Sequence, residues 1–175
     1  MPRPSRAFLN PGCYHVITRG NQKQKTFRDK NDFAVYLSML KRAKRKHGIR
    51  LYAYCLMENH VHLLIDIDHA RIMSKFMHSI NLGYTAYYNA KYATVGHLWQ
   101  GRFKSKPILK GGYLIHCANY IEHNPMRAGV IDDIANYPWS SYKERCLMAS
   151  KIMVDEIRVG TFLNIDTGTL SGLEL

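Results

Sequence analysis

Two histidines separated by a single residue stand at His60 and His62, within the string ENHVHLLI. Read as a strand, this segment turns successive side chains to opposite faces. Both imidazoles then project to one side, and Val61, Leu63 and Ile65 to the other. Two ring nitrogens one pleat apart can chelate one divalent ion. Imidazole suits Mn²⁺, and Mg²⁺ tolerates it where oxygen ligands supply the rest. Further along, Tyr120, His123 and Asn124 recur at i, i+3 and i+4, the spacing of one helix face. Such a pair still needs a third protein ligand, and Asn124 or His123 could be it. Glu58 is a rival, since it precedes His60 by two and could share its strand face. Tyr120, one turn before Asn124, would point at whatever the ion polarises. Asn124 also has a purely structural use, because Pro125 and Gly129 after it suit a short capped turn.

These side chains need elements to hold them. Residues 13–19 (CYHVITR) are β-branched and aromatic and read as a first strand, closed by Gly20-Asn21. Residues 29–47 switch to helical spacing, with Phe33, Leu37 and Leu40 on one stripe, Asp29 and Asp32 at the start and Gly48 at the end. Residues 49–57 and 60–67 read as two strands joined by a turn at Glu58-Asn59. Residues 71–92 read as a second helix, 98–109 as an extended segment, and 113–124 as a third helix stopped by Pro125. The order strand, helix, strand, strand, helix, strand, then a further helix predicts an α+β fold. It is the ferredoxin-like (RRM-like) antiparallel sheet with helices on one face, plus a helix bearing Tyr120. One domain over residues 1–145, followed by a C-terminal extension at 146–175, is the expected organisation.

The charge balance says what such a site would meet. Of 175 residues, 25 are Lys or Arg and 13 are Asp or Glu, a formal net charge of +12. A surplus of this size attracts polyanions, nucleic acid first among them. Arg102, Lys104 and Lys106 alternate with Gly101, Phe103 and Ser105, so a strand there would turn its cations to one face for phosphates. Trp99 or Phe103 could stack on an unpaired base. Arg19, Lys23 and Lys25 cluster in and after the first strand and offer a second contact. The basic run KRAKRK at residues 41–46 ends the first helix. The four cysteines show no C-x-x-C spacing, which argues against a zinc ribbon or a disulfide framework and for a reducing cytoplasm. No segment is apolar enough for a membrane span, and no phosphate-cradling glycine loop is present.

At this point the chain resembles a known family. The strings YHVITRGN, AYCLMENHVHLLI, LWQGRFKS, YIEHNPMRAG and YPWSSY follow one another at the spacing of the single-tyrosine HUH transposases, most like the REP-associated branch. The resemblance spans roughly residues 8–145; Glu58 departs from it, standing where many members carry proline. It implies that His60 and His62 are the metal-binding pair, that Asn124 is the third ligand and that Tyr120 is the nucleophile. It further implies cleavage and rejoining of single-stranded DNA beside hairpins, with Mg²⁺ or Mn²⁺, through a 5′-phosphotyrosine and a free 3′-hydroxyl. A monomer in the cytoplasm, associated with the nucleoid, is the expected form, with a homodimer that swaps the tyrosine helix, as in some relatives, as the alternative. The chemistry fits the residue types. A metal drains charge from a phosphodiester, and a phenolate leaves more readily than an alkoxide, so the linkage keeps the energy needed to rejoin DNA. Two other readings stay open from residues alone: a binding module without catalysis, and a hydrolase in which water replaces Tyr120.

Overall fold

The computed structural model describes residues 10–109, 111–147 and 153–157. Four strands, β1 (Gly12–Arg19), β2 (Arg50–Met57), β3 (His60–Ile67) and β4 (Lys104–Ile108), form one antiparallel sheet in the order β2-β3-β1-β4. Helices α1 (Lys30–His47) and α2 (Ala70–Tyr92) cross one face of it, and α3 (Gly112–Glu122) lies on the other. This is the ferredoxin-like α+β plan expected from the order of elements, with the sheet covered on both sides.

The two faces follow from strand alternation. Val16, Val61, Leu63 and Ile65 join Tyr36, Leu40, Phe76, Ile80 and Tyr84 of α1 and α2 in the larger core. Cys13, Cys55, Met57 and Leu64 meet Leu114, Ala118 and Ile121 of α3 in the smaller one. On α1, Asp29 accepts the Asp32 N–H, and Asp32 accepts the Asp29 N–H in return, the reciprocal start that the sequence suggested. Gly48, at φ 61°, closes the same helix in the left-handed region that glycine enters freely.

Asp32 also locks α1 to α2. Its carboxylate is fully buried and accepts from Lys91 at 2.7 Å, Tyr87 at 2.9 Å, Tyr92 at 2.6 Å and the Arg28 N–H at 2.7 Å. Burial alone would raise its pKa. The donors from Lys91, Tyr92, Arg28 and Tyr87 outweigh that effect and hold it at about 2.

Three segments differ from the sequence reading. Residues 98–109 are not one strand, because β4 starts only at Lys104. Before it, Trp99 makes an isolated bridge to Gly20 and the chain turns at Gly101, φ 67°. Helix α3 ends at Glu122, and a separate single turn, α4 (Asn124–Arg127), carries Pro125 at its start. Of the extension expected at 146–175, residues 148–152 and 158–175 lie outside the described residues. Within it, Met153 and Val154 are buried in the larger core, and Asp155 accepts the Leu51 N–H at 2.7 Å while pairing with Lys44 at 2.8 Å. Lys44, read as part of a basic helix end, is thus occupied in packing the chain.

Removing the Asp32 carboxylate strips the Tyr87 and Tyr92 hydroxyls and the Arg28 N–H of their shared acceptor, and leaves Lys91 only Asp29, at 2.6 Å, as an acid partner. Asp32→Ala should lower unfolding free energy by about 3 kcal/mol or more, measured by urea denaturation; a loss under about 1 kcal/mol would show the cluster to be solvated instead. Because the folded-state pKa is depressed, this stabilisation is present above pH ~4 and should fade as pH drops toward 2.

Candidate active site

The pairing of β1 with β3 builds the site. Ile17 stands opposite His62 and Arg19 opposite His60, so His15, one pleat back on β1, lies diagonal to His62 on the same face. That face is the one α3 covers. His15 Nε2 and His62 Nδ1 are 2.8 Å apart. The His60 and His62 rings meet edge to face at 4.9 Å between centroids. Tyr120, projecting from α3, meets the His15 ring edge to face at 6.1 Å. One chain thus brings Tyr120, His15, His62 and His60 into a continuous row.

Neighbouring residues hold this row in place. Gly20, in the RGN string, donates its N–H to Asn59 O at 2.8 Å. A Cβ there would come within 2.5 Å of Gln24 O and 2.8 Å of Thr26 Cγ2, so only glycine fits. The contact fixes the β2–β3 turn, from which Asn59 Oδ1 accepts the His60 Nδ1–H at 2.6 Å. From the start of α4, Asn124 Nδ2 donates to Tyr120 O at 2.9 Å and Ile121 O at 3.1 Å, capping the end of α3. Glu122, fully buried, is gripped by Arg145 at 2.6 Å and by the Ser141 hydroxyl at 2.6 Å, and the same Arg145 also donates to Asn119 Oδ1. This clamp ties the YIEHN string to Ser141 of YPWSSY and to Arg145 beyond it.

All three imidazoles are held neutral. Burial, with Lys106 beside it, lowers His15 to about 4. Burial and Arg19 lower His60 to about 4; burial, then His60, His15 and Arg19, lowers His62 to about 3. His62 Nε2 is buried with no hydrogen-bond partner. A neutral imidazole with an unmatched inner nitrogen, beside another whose Nε2 is left over by the bond to Asn59, fits a divalent cation. His60 and His62 would hold such an ion, which would supply Lewis-acid polarisation of a phosphate oxygen. Among the described residues no three His, Cys, Asp or Glu side chains converge at ligand spacing. Glu58 sits in the turn and pairs with Lys25 at 3.0 Å, rather than on the strand face. His123 Nδ1 lies 2.8 Å from Asn119 O.

The surroundings are cationic. Lys104 and Lys106 are exposed on β4 opposite Ile17 and His15, so they flank the imidazoles. Arg102 is off this strand and lines an open groove of about 1040 Å³, with Arg71, Lys75 and His78 of α2. Arg19, Lys23 and Lys25 are exposed at the other rim. Trp99 and Phe103 do not stand ready to stack on a base. Both are buried in the larger core, where the Trp99 ring lies 5.9 Å from that of Tyr84 and its Nε1–H donates to Asn81 O at 3.2 Å. Tyr120 is 42 % exposed in a depression of about 590 Å³, and the Arg127 guanidinium lies 4.7 Å from its ring centre. Sequence spacing passed over His15, Glu122, Arg145 and Arg127. Only Arg127 left a signal, two helical turns beyond Tyr120.

One face of the antiparallel sheet thus carries an imidazole pair, a facing tyrosine and flanking lysines. The chain belongs to the family described as Transposase IS200 like, whose model matches residues 11–124. It is therefore a transposase. Its fold is similar to that of a REP-associated tyrosine transposase solved bound to a REP hairpin: 15 % identity, TM-score 0.67, covering 90 % of this chain and 94 % of that one. A candidate transposase from Deinococcus radiodurans R1 matches with 16 % identity and a TM-score of 0.47, over 77 % of this chain and 97 % of that one. No curated protein matches the sequence. No helix among the described residues is long and apolar enough to cross a membrane.

The depressed histidines set an acid limit on the metal-free fold. Unfolded imidazoles titrate near 6.5, so the unfolded chain takes up protons first. Stability should be intact above pH ~6.5 and fall toward pH 4 by up to about 1.4 kcal/mol per pH unit per histidine. His62→Gln should flatten this slope by about one proton in urea midpoints taken from pH 7 to pH 4.5; an unchanged slope would place His62 among ordinary surface histidines.

Proposed function

We propose that this transposase cleaves and rejoins single-stranded DNA beside a hairpin, with Tyr120 as nucleophile, in a reaction requiring Mg²⁺ or Mn²⁺. The observation that carries this reading is the placement of Tyr120 against His15, itself bonded to His62, within one chain. That placement also supports a monomer as the working form. The Tyr120 oxygen attacks the scissile phosphorus and gives up its proton, the P–O3′ bond breaks, and the strand departs with a free 3′-hydroxyl. The 5′ phosphate stays esterified to Tyr120, and attack by a 3′-hydroxyl reverses the step without ATP. His60 and His62, with Asn124 as third ligand, are assigned to the cation. Arg127, whose guanidinium lies 4.7 Å from the Tyr120 ring centre, adds positive charge on the face of the nucleophile's ring.

Docking falls to the cationic rim. Lys104 and Lys106 lead the strand past the imidazoles, while Arg19, Lys23, Lys25 and Arg102 meet phosphates at either side. The hairpin as partner rests on the fold neighbour that was solved holding one.

A labelled hairpin oligonucleotide incubated with Mn²⁺ should give a protein–DNA adduct that survives denaturant. Tyr120→Phe should abolish the adduct while keeping DNA affinity within about twofold, since phosphate contacts dominate binding. Cleavage that persists in Tyr120→Phe without an adduct would establish attack by water instead; binding without cleavage in the wild type would leave a binding module. His60→Ala or His62→Ala should cut the rate by about 100-fold or more at unchanged DNA affinity.

Lys104→Ala with Lys106→Ala should weaken binding and lower the slope of log affinity against log salt by about 0.7 per lysine. An unaltered slope would move the docking face elsewhere.

A further inference from the structure

His15 comes from a different strand than His60 and His62, bonds to His62 and meets the Tyr120 ring edge to face. Its role follows from counting protons on the 2.8 Å bond between His15 Nε2 and His62 Nδ1. Two neutral imidazoles share one proton there, and only two arrangements exist. If His15 donates, His62 must carry its own proton on Nε2. That atom is buried and has no hydrogen-bond partner, so an N–H would be stranded and unable to bind a cation. If His62 donates from Nδ1, Nε2 keeps its lone pair, and the unmatched atom becomes a ligand.

The other member of the pair is set in the same way. Asn59 Nδ2 donates to Lys23 O at 3.2 Å, which turns Asn59 Oδ1 toward His60 Nδ1, 2.6 Å away. A carbonyl oxygen can only accept, so His60 carries its proton on Nδ1 and offers Nε2 as well.

We propose that His15 is a positioning residue: its Nε2 accepts the Nδ1–H of His62 and thereby holds His62 in the tautomer that presents Nε2 to a divalent cation. This inference rests on the metal-dependent reading above and adds a residue to it. Outer partners that orient metal-binding histidines typically change affinity 10–100-fold when removed.

The test uses the full chain and Mn²⁺ alone, without DNA. His15→Leu should weaken Mn²⁺ binding, measured by calorimetry, about 10–100-fold, while His15→Gln, whose Oε1 still accepts, should stay within about threefold of wild type. Thermal melting and metal-free hairpin affinity should be similar in both variants. Equal Mn²⁺ affinity in wild type and a folded His15→Leu overturns the proposal. Independently of metal, the ring ¹⁵N shifts of His62 in the wild-type protein, assigned by comparison with His62→Gln, should show a protonated Nδ1 and an unprotonated Nε2. A protonated Nε2 overturns the proposal, and this readout holds even if His15→Leu fails to fold. Failure of wild-type protein to take up Mn²⁺ would instead overturn the metal-dependent reading, leaving the tautomer to decide the part played by His15.

Discussion

Eight consecutive residue pairs join β1 to β3, from Gly12 opposite Ile67 to Arg19 opposite His60, and the chemistry of the molecule rests on that register. Side chains alternate strictly along a strand, so a slip by one residue would send His15 to the α1–α2 core and bring Val16 to the site. The apolar partners resist such a slip. Val16, Val61, Leu63 and Ile65 are all fully buried on the far face, and each would lose its packing at once. The hydrophobic core and the polar site are therefore two readings of one alternation. β4 extends it, because its pairing with β1 decides that Lys104 and Lys106 lie beside the imidazoles rather than beneath the helices.

Register alone does not bring Tyr120 to the sheet. Helix α3 buries Leu114, Ala118 and Ile121 in its core, with Cys117 partly buried beside them, a modest apolar contact for eleven residues. The Glu122–Arg145 pair supplies what packing does not. A fully buried carboxylate is costly unless its lone pairs are matched, and here Arg145 and Ser141 match them. Breaking the pair leaves a charge without a partner, so α3 has little freedom to rotate and Tyr120 is held toward His15. The Asp32 cluster plays the same part on the opposite face, fixing α1 against α2. Each layer of helix is thus fastened by one buried acid.

Much of this was legible in the residues because its signals are local. The His60–His62 alternation, the Asp29 and Asp32 start and the Gly48 stop of α1 are all contained within a few positions. What stayed hidden depends on partners far apart. His15 meets His62 across 47 positions, and Arg145 meets Glu122 across 23, with no shared period to announce either contact. Trp99 and Phe103 look like an exposed, alternating strand; the turn at Gly101 breaks the alternation and lets both rings enter the core. Glu58 looks aligned with His60, yet it belongs to a two-residue turn, where its carboxylate reaches Lys25. The apolar pair Met153-Val154 lies in a stretch without periodicity, so its burial could be found only in three dimensions.

That late pair has a consequence for how the molecule is made. Asp155 receives the Leu51 N–H from 104 positions away, and Lys44 donates to Met153 O across 109. A ribosome must therefore release the chain as far as Asp155 before the seam between the first helix and the outer strand can close. Until then the seam is open to water, and chaperones or proteases can reach a sheet that already carries its histidines. Arrival of residues 153–155, rather than assembly of the histidine row, becomes the event that seals this transposase.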